Sequence, residues 1–204
     1  MRIGIIGTGA VAGALARVWV AAGNEVYVGG RSDERAAAVA AAAGATPAPL
    51  PDAVRGRDAV LLAVSWTGVD DAVRLAGAGD GALRDVPLLD PTNAVEHGIG
   101  VLLPPTSAAE HVAARTGARV VKAFHLFPAA AWGTEAAAGI TVPLCGDDPE
   151  ALEIAGSLAR ATGARPAVIG GLARARQLEE VAGFVIGLAF AGVDPNSAIP
   201  RVPA

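Results

Sequence analysis

Met1-Arg2-Ile3-Gly4-Ile5-Ile6-Gly7-Thr8-Gly9-Ala10-Val11-Ala12-Gly13 is an apolar strand that runs into G-x-G-x-x-A and then into a helix. In a chain with 26 glycines the spacing alone says little. Its place between an apolar strand and the helical run 12–22, closed by Gly23, makes it a dinucleotide-binding turn. Gly7 permits the tight turn, Gly9 lets the backbone approach a pyrophosphate, and Ala12 is small enough for helix and strand to meet closely. The pyrophosphate is expected on the free N–H groups at the helix N-terminus.

The end of the second strand, Glu25-Val26-Tyr27-Val28, bears on the choice of dinucleotide. A site for NAD places Asp or Glu there to bind the ribose 2′-hydroxyl. This chain has Gly29-Gly30-Arg31-Ser32 instead. A guanidinium binds phosphate through a planar fork, so Arg31, with the Ser32 hydroxyl and Arg35 adding donors, favours NADP(H). Asp33 and Glu34 fall where the next helix begins, an ordinary place for acids. The alternative is that Arg31 is a solvated loop residue.

A length of 204 residues holds one large α/β domain with at most a small appendage. The net charge of −4 and the lack of a basic run give nucleic acid nothing to bind. Cys145 is the sole cysteine, which rules out an intramolecular disulfide and suits a reducing compartment. No charged-then-apolar leader is evident, and the longest apolar stretch, near 181–191, is too short for a bilayer. A cytoplasmic protein with no membrane partner is the expectation.

Apolar runs at 2–6, 25–28, 59–64, 86–89, 119–123, 140–144 and 166–169 read as strands. They alternate with helical runs at 10–22, 33–43, 68–78, 107–116, 149–162 and 173–191. That alternation predicts an α/β, Rossmann-type doubly wound parallel sheet. A boundary near residue 145 would separate an NADP-binding domain, 1–145, from a small α/β extension, 146–204, that closes the site and forms a dimer contact.

Ligands of an open parallel sheet lie at the carboxyl ends of its strands. Those ends carry Gly7 to Val11, Arg31-Ser32, Ser65-Trp66-Thr67, Asp90-Pro91-Thr92-Asn93 and Phe124-His125-Leu126-Phe127-Pro128. Trp66 either walls a flat ring or plugs the core. Asn93 either holds a carboxamide or caps a turn. His125 either donates to a substrate oxygen or is a packing histidine, whereas His97 and His111 fall in a loop and on a surface helix. Tyr27 lies inside a strand and Lys122, the only lysine, stands isolated, so no Tyr/Lys proton donor is evident.

Several segments together resemble the family of coenzyme F420-dependent NADP oxidoreductases. They are the opening MRIGIIGTGAVAG, VGGRS after the second strand, Trp66, VVKAFHLFPAA at 120–130, VPLCGDDPEA at 142–151 and GGLARARQLEE at 170–180. The resemblance implies a Rossmann domain with a small C-terminal extension, a homodimer, and hydride exchange between NADPH and the deazaflavin F420. It places Thr8, Gly9, Ala10 and Val11 on the pyrophosphate, and Arg31 and Ser32 on the 2′-phosphate. Beside the redox rings it places Trp66, His125, Leu126 and Pro128.

A deazaflavin acceptor asks little acid catalysis of the protein, since alignment of two rings in a dry cleft suffices. The small-molecule redox acceptor stays open between F420 and another acceptor such as a flavin, an imine or a metal. A third reading is a non-catalytic NADP-binding sensor. The last helix turns almost wholly apolar through Val181, Phe184, Val185, Ile186, Leu188 and Phe190, which predicts burial on more than one face and hence a two-fold dimer. Gly183 and Gly187, one turn apart, would let the two copies' helices approach, while Arg174, Arg176 and Glu179 would face the acceptor cleft.

Overall fold

A computed structural model describes residues 1–96, 98–103 and 105–200. His97 lies outside them. One eight-stranded sheet organises the molecule, in the order β3-β2-β1-β4-β5-β6-β7-β8. The strands are β1 (Arg2–Ile6), β2 (Glu25–Gly29), β3 (Thr46–Pro47), β4 (Ala59–Leu62), β5 (Pro87–Asp90), β6 (Arg119–Lys122), β7 (Thr141–Gly146) and β8 (Arg165–Gly170). The helices are α1 (Ala10–Ala21), α2 (Asp33–Ala43), α3 (Leu50–Val54), α4 (Val69–Leu75), α5 (Ala108–Thr116), α6 (Pro149–Ala161) and α7 (Ala175–Phe190). The chain is a doubly wound α/β fold of Rossmann type.

Alternation along the central strands divides the core between two faces, since successive side chains leave a strand on opposite sides. Ile3, Ile5, Ala59 and Leu61 pack under α1, α2 and α6. Val60, Leu62 and Leu88 pack against α3, α4, α5 and α7. Strands covered on both sides have no place for a polar face, which is why 59–62 reads as an unbroken apolar run. Trp19, fully buried on α1, donates its indole N–H to the Leu158 carbonyl on α6 at 3.1 Å and so ties α1 to α6.

Three helix starts are set by local side-chain chemistry. Ser32 accepts from the Arg35 N–H at the start of α2. Ser107 and Glu110 form a reciprocal capping box on α5. Asp148 caps α6, with Pro149 in its first turn.

Four expectations need correction. The pair β3 and α3 lies between 44 and 58, where no element is expected from the sequence, because two-residue strands and five-residue helices are too short to show a period. The sheet is not wholly parallel, for β7 runs antiparallel to β6. Between them the chain makes only 3₁₀ turns, at Ala129–Ala131 and Glu135–Gly139, and without a crossover helix it returns in the opposite direction. Position 145 lies within β7, a strand of the same sheet.

The last two corrections concern α7. Gly183 and Gly187 accommodate the molecule's own loop after β5: a Cβ at Gly183 would collide with the Gly100 carbonyl, and one at Gly187 would come within 2.8 Å of the Ile99 carbonyl. Glu179 does not face a cleft either but is wholly buried, as described below. The rest of α7 is partly open, with Phe184 at 52% and Phe190 at 57% exposure. Among the described residues no helix is long and apolar enough to cross a membrane.

Candidate functional site

At the carboxyl end of β1 the chain turns sharply at Gly7, whose φ is +132°. Any Cβ there would collide with the Ala63 carbonyl at the end of β4, so the turn is closed to other residues. Gly9 differs, since a Cβ at Gly9 would meet no protein atom within 4 Å. The space in front of it is open and leads to the first turn of α1, which has no side-chain cap. Uncapped N–H groups at a helix start form an anion site, and Gly9 lets a ligand reach them.

A cleft of about 510 Å³ opens from this turn. It brings together Gly7, Thr8, Gly9, Arg31, Ser32, Arg35 and Ser65, all named from the sequence, with Leu50 and Val64 among its apolar walls. Arg31 and Arg35 are exposed, and Ser32 holds the start of α2 beside them. Two guanidinium groups at the start of α2 therefore line the cleft together, and among the described residues no carboxylate is part of its lining. Ala10 borders a second cavity that shares Thr8 and Gly9 with the first, Val11 is half-buried, and Ala12 is wholly buried in the core.

The remaining candidates lie at the ends of β4, β5 and β6. Trp66 is half-buried, its ring edge-on to His111 at 5.1 Å, and it packs against the core as well as bordering the β4 loop. His111 in turn bonds Asp70 at 2.7 Å, which with the Arg115 charge holds the Asp70 carboxyl below its ordinary range. Asn93 donates Nδ2 to the His125 carbonyl at 2.7 Å, tying the loop after β5 to the loop after β6. Leu126 is half-buried and Pro128 exposed. Arg176 lies apart from the cleft: it bonds the Pro105 carbonyl at 2.7 Å and pairs with Glu180.

His125 is buried, 6% exposed. Burial and, next, the nearby Lys122 charge push its pKa from the ordinary 6.5 down to about 3, against a smaller opposing pull from the Leu178 backbone. The ring is therefore neutral at physiological pH and offers one N–H donor and one acceptor. Neither ring nitrogen makes a hydrogen bond of good geometry, and Thr92 Oγ1 and Asn93 Oδ1 beside it are also buried without partners. Phe124, just before it, has a φ of +60°, a left-handed conformation rare for an aromatic residue. Phe124 is held there by edge-on contacts with Trp19 and Trp132.

Lys122 corrects the sequence reading most sharply. It is not isolated but wholly buried, paired with Asp90 at 3.1 Å and with Glu179 of α7 at 2.7 Å. Its Nζ also donates to the Thr92 carbonyl. Glu179 further accepts from the Ala108 N–H at the start of α5, at 2.9 Å. Burial pushes the Glu179 carboxyl above its ordinary range, and Lys122 opposes that rise. One signal could have found this cluster: the chain's single lysine sits inside a strand, between Val121 and Ala123, where only a paired charge is tolerated.

Residues 2–94 match the family model described as NADP oxidoreductase, coenzyme F420-dependent. The chain is 32% identical over 184 residues to metalloreductase STEAP3 of Rattus norvegicus, an alignment covering 88% of this chain and 36% of the rat protein. It thus spans about a third of that relative's length. A solved structure from Arthrobacter sp. FB24, named for F420-dependent NADP reductase activity, superposes with a TM-score of 0.79 at 23% identity, covering 94% of this chain and 95% of that one. An imine reductase of Streptomyces aurantiacus superposes with a TM-score of 0.72 at 18% identity, covering 94% of this chain and 64% of that one. The two superpositions speak for the fold.

Proposed function

We propose that this chain is an oxidoreductase that binds NADP(H) in the cleft at the glycine loop and exchanges a hydride with the deazaflavin coenzyme F420. The observation that carries the reading is the cleft itself, open in front of Gly9 and ending at Arg31, Ser32 and Arg35. The match of residues 2–94 to the family supports it. NADPH, when bound, supplies the hydride from its nicotinamide ring.

The chain's own residues do the rest. The α1 N–H groups after Gly9 receive the pyrophosphate, and Arg31 takes the 2′-phosphate through its planar fork. Ser65, Trp66 and Asn93 border the path toward the nicotinamide end, with Trp66, Leu126 and Pro128 as walls that exclude water. His125, a neutral ring buried at the end of β6, would orient the acceptor by donating its one N–H to an acceptor oxygen once the loops after β5 and β6 part to uncover it. An acceptor that spreads the incoming charge over its ring needs no strong acid, which agrees with a histidine that resists protonation and a lysine locked in ion pairs. In this reading residues 1–145 bind the nucleotide and 146–204 close the acceptor side. The working unit is a cytoplasmic homodimer.

The 32% identity to a metalloreductase favours a second reading on the same cleft, in which NADPH reduces another acceptor such as a flavin, an imine or a metal. The test is to mix the protein with NADPH and F420, follow deazaflavin absorbance, and repeat with flavin mononucleotide, cyclic imines and ferric chelates. Turnover with F420 alone supports the first reading, and turnover only with another acceptor selects the second. Tight NADPH binding with no turnover makes the chain an NADP-binding sensor.

A further inference from the structure

The loop between β5 and α5 covers seventeen positions, 91–107, whose described residues carry no named strand or helix, yet both of its ends are held by one buried cluster. At its start, Asp90 accepts from the Thr92 N–H at 2.9 Å and Lys122 donates to the Thr92 carbonyl. At its far end, Glu179 accepts from the Ala108 N–H. Lys122 bridges the two carboxylates, and all three side chains have no exposure. The cluster therefore joins the ends of β5 and β6, the start of α5 and the first half of α7 at a single cation.

Both loops that leave this cluster run to the acceptor side. Two residues beyond Lys122 the chain enters the left-handed turn at Phe124, and the next residue is His125. One residue beyond Thr92 is Asn93, which grips the His125 carbonyl. A strained turn keeps its shape only when its surroundings over-determine it. Here the surroundings are the rings of Trp19 and Trp132 against Phe124, with the Lys122 ion pairs before the turn and the Asn93 bond after it.

We propose that Lys122, held between Asp90 and Glu179, is a positioning residue for hydride transfer that fixes Asn93 and His125 against the acceptor while leaving the dinucleotide cleft untouched. The assignment rests on the reading of the chain as an NADPH-dependent reductase. The cluster touches none of the cleft residues Gly7, Thr8, Gly9, Arg31 or Ser32 through any of these bonds, so its effect is confined to the acceptor half. A buried ion cluster confers little net stability over a well-packed neutral replacement, and specificity of arrangement is the better-attested reason to keep one.

The test compares wild type with two variants, Glu179→Gln and the charge-free Asp90→Asn/Lys122→Met/Glu179→Gln, which keeps shape and leaves no buried charge unpaired. NADPH affinity, kcat and KM for each acceptor that wild type reduces, and melting temperature are measured on all three. The expected result is a loss in acceptor kcat of about tenfold or more with the NADPH Kd within about twofold of wild type, as displacement of a positioning group predicts. Nitrogen chemical shifts of the His125 ring should move in the same variants, reporting the displaced ring directly. If the triple variant does not fold, Glu179→Gln alone carries the comparison, since it retains Lys122 and its Asp90 partner. Unchanged acceptor kinetics in a folded variant overturn the proposal while the reductase reading stands. No turnover by wild type with any acceptor overturns both.

Discussion

Asn93 donates its side-chain amide to the main-chain oxygen of His125 at 2.7 Å, and so joins two loops whose strands lie next to each other in the sheet. The bond leaves Asn93 Oδ1 buried without a partner, and both His125 ring nitrogens are in the same condition. Buried polar atoms left unpartnered cost about 1–3 kcal/mol each, so several at one spot favour a bound group that can pair with them. The spot lies on the acceptor side of the proposed site.

Removing the guanidinium tests the choice of dinucleotide. Arg31→Ala should weaken NADPH binding by about 1.5–3 kcal/mol, the scale of a charge-assisted bond, and leave NADH binding almost unchanged. Titration calorimetry with both nucleotides decides it, and equal losses would remove Arg31 from the 2′-phosphate.

The two glycines of the turn should fail in different ways. Gly9→Val meets open space, so the protein should fold with stability within about 0.5 kcal/mol of wild type but bind NADPH about tenfold more weakly or worse. Gly7→Val should not fold stably, because its φ of +132° and the Ala63 carbonyl leave no room. A Gly9→Val protein with wild-type affinity would place the dinucleotide elsewhere.

His125 predicts a pH dependence of stability. Its pKa falls from 6.5 in the unfolded chain to about 3 in the fold, so between those values the unfolded chain binds the extra proton. Stability is therefore complete above about pH 6.5 and declines as pH falls toward 3. His125→Gln, which cannot titrate, should show a shallower loss of melting temperature across that window. Parallel curves for the two proteins would mean that the ring is protonated in the fold.

Phe184 tests the dimer. It is half exposed on α7, with Ile99 and Val101 of the neighbouring loop also open at 58% each, an apolar patch that a second copy could cover. Phe184→Glu should sediment as a monomer with stability within about 0.5 kcal/mol of an isolated subunit. Gly187→Leu, by contrast, should lower the melting temperature, because its side chain would drive into the Ile99 carbonyl of the same molecule. Wild type sedimenting as a monomer at micromolar concentration would refute the dimer.

Most of the nucleotide half was legible in the residues. The strand-glycine-helix order at the start is a local pattern, and so are the apolar runs of β4 and β5. Each is set by neighbours within a few positions along the chain. The short β3 and α3 escaped because five residues or fewer carry no period, and the direction of β7 escaped because it depends on what the intervening 3₁₀ turns do not do.

The sequence alone determined the Rossmann-type alternation, the glycine turn and the basic end of its cleft, because all three are written in contiguous residues obeying fixed geometric periods. Only the tertiary structure decided that Lys122 is the centre of an ion cluster and that Gly183 and Gly187 receive the molecule's own loop. It also decided that His125 is a neutral buried ring. In each case the partner is remote: Lys122 meets Glu179, Gly183 meets Gly100, and His125 lies beside Leu178. The chemistry of a buried charge or a bare backbone depends on what the fold places against it.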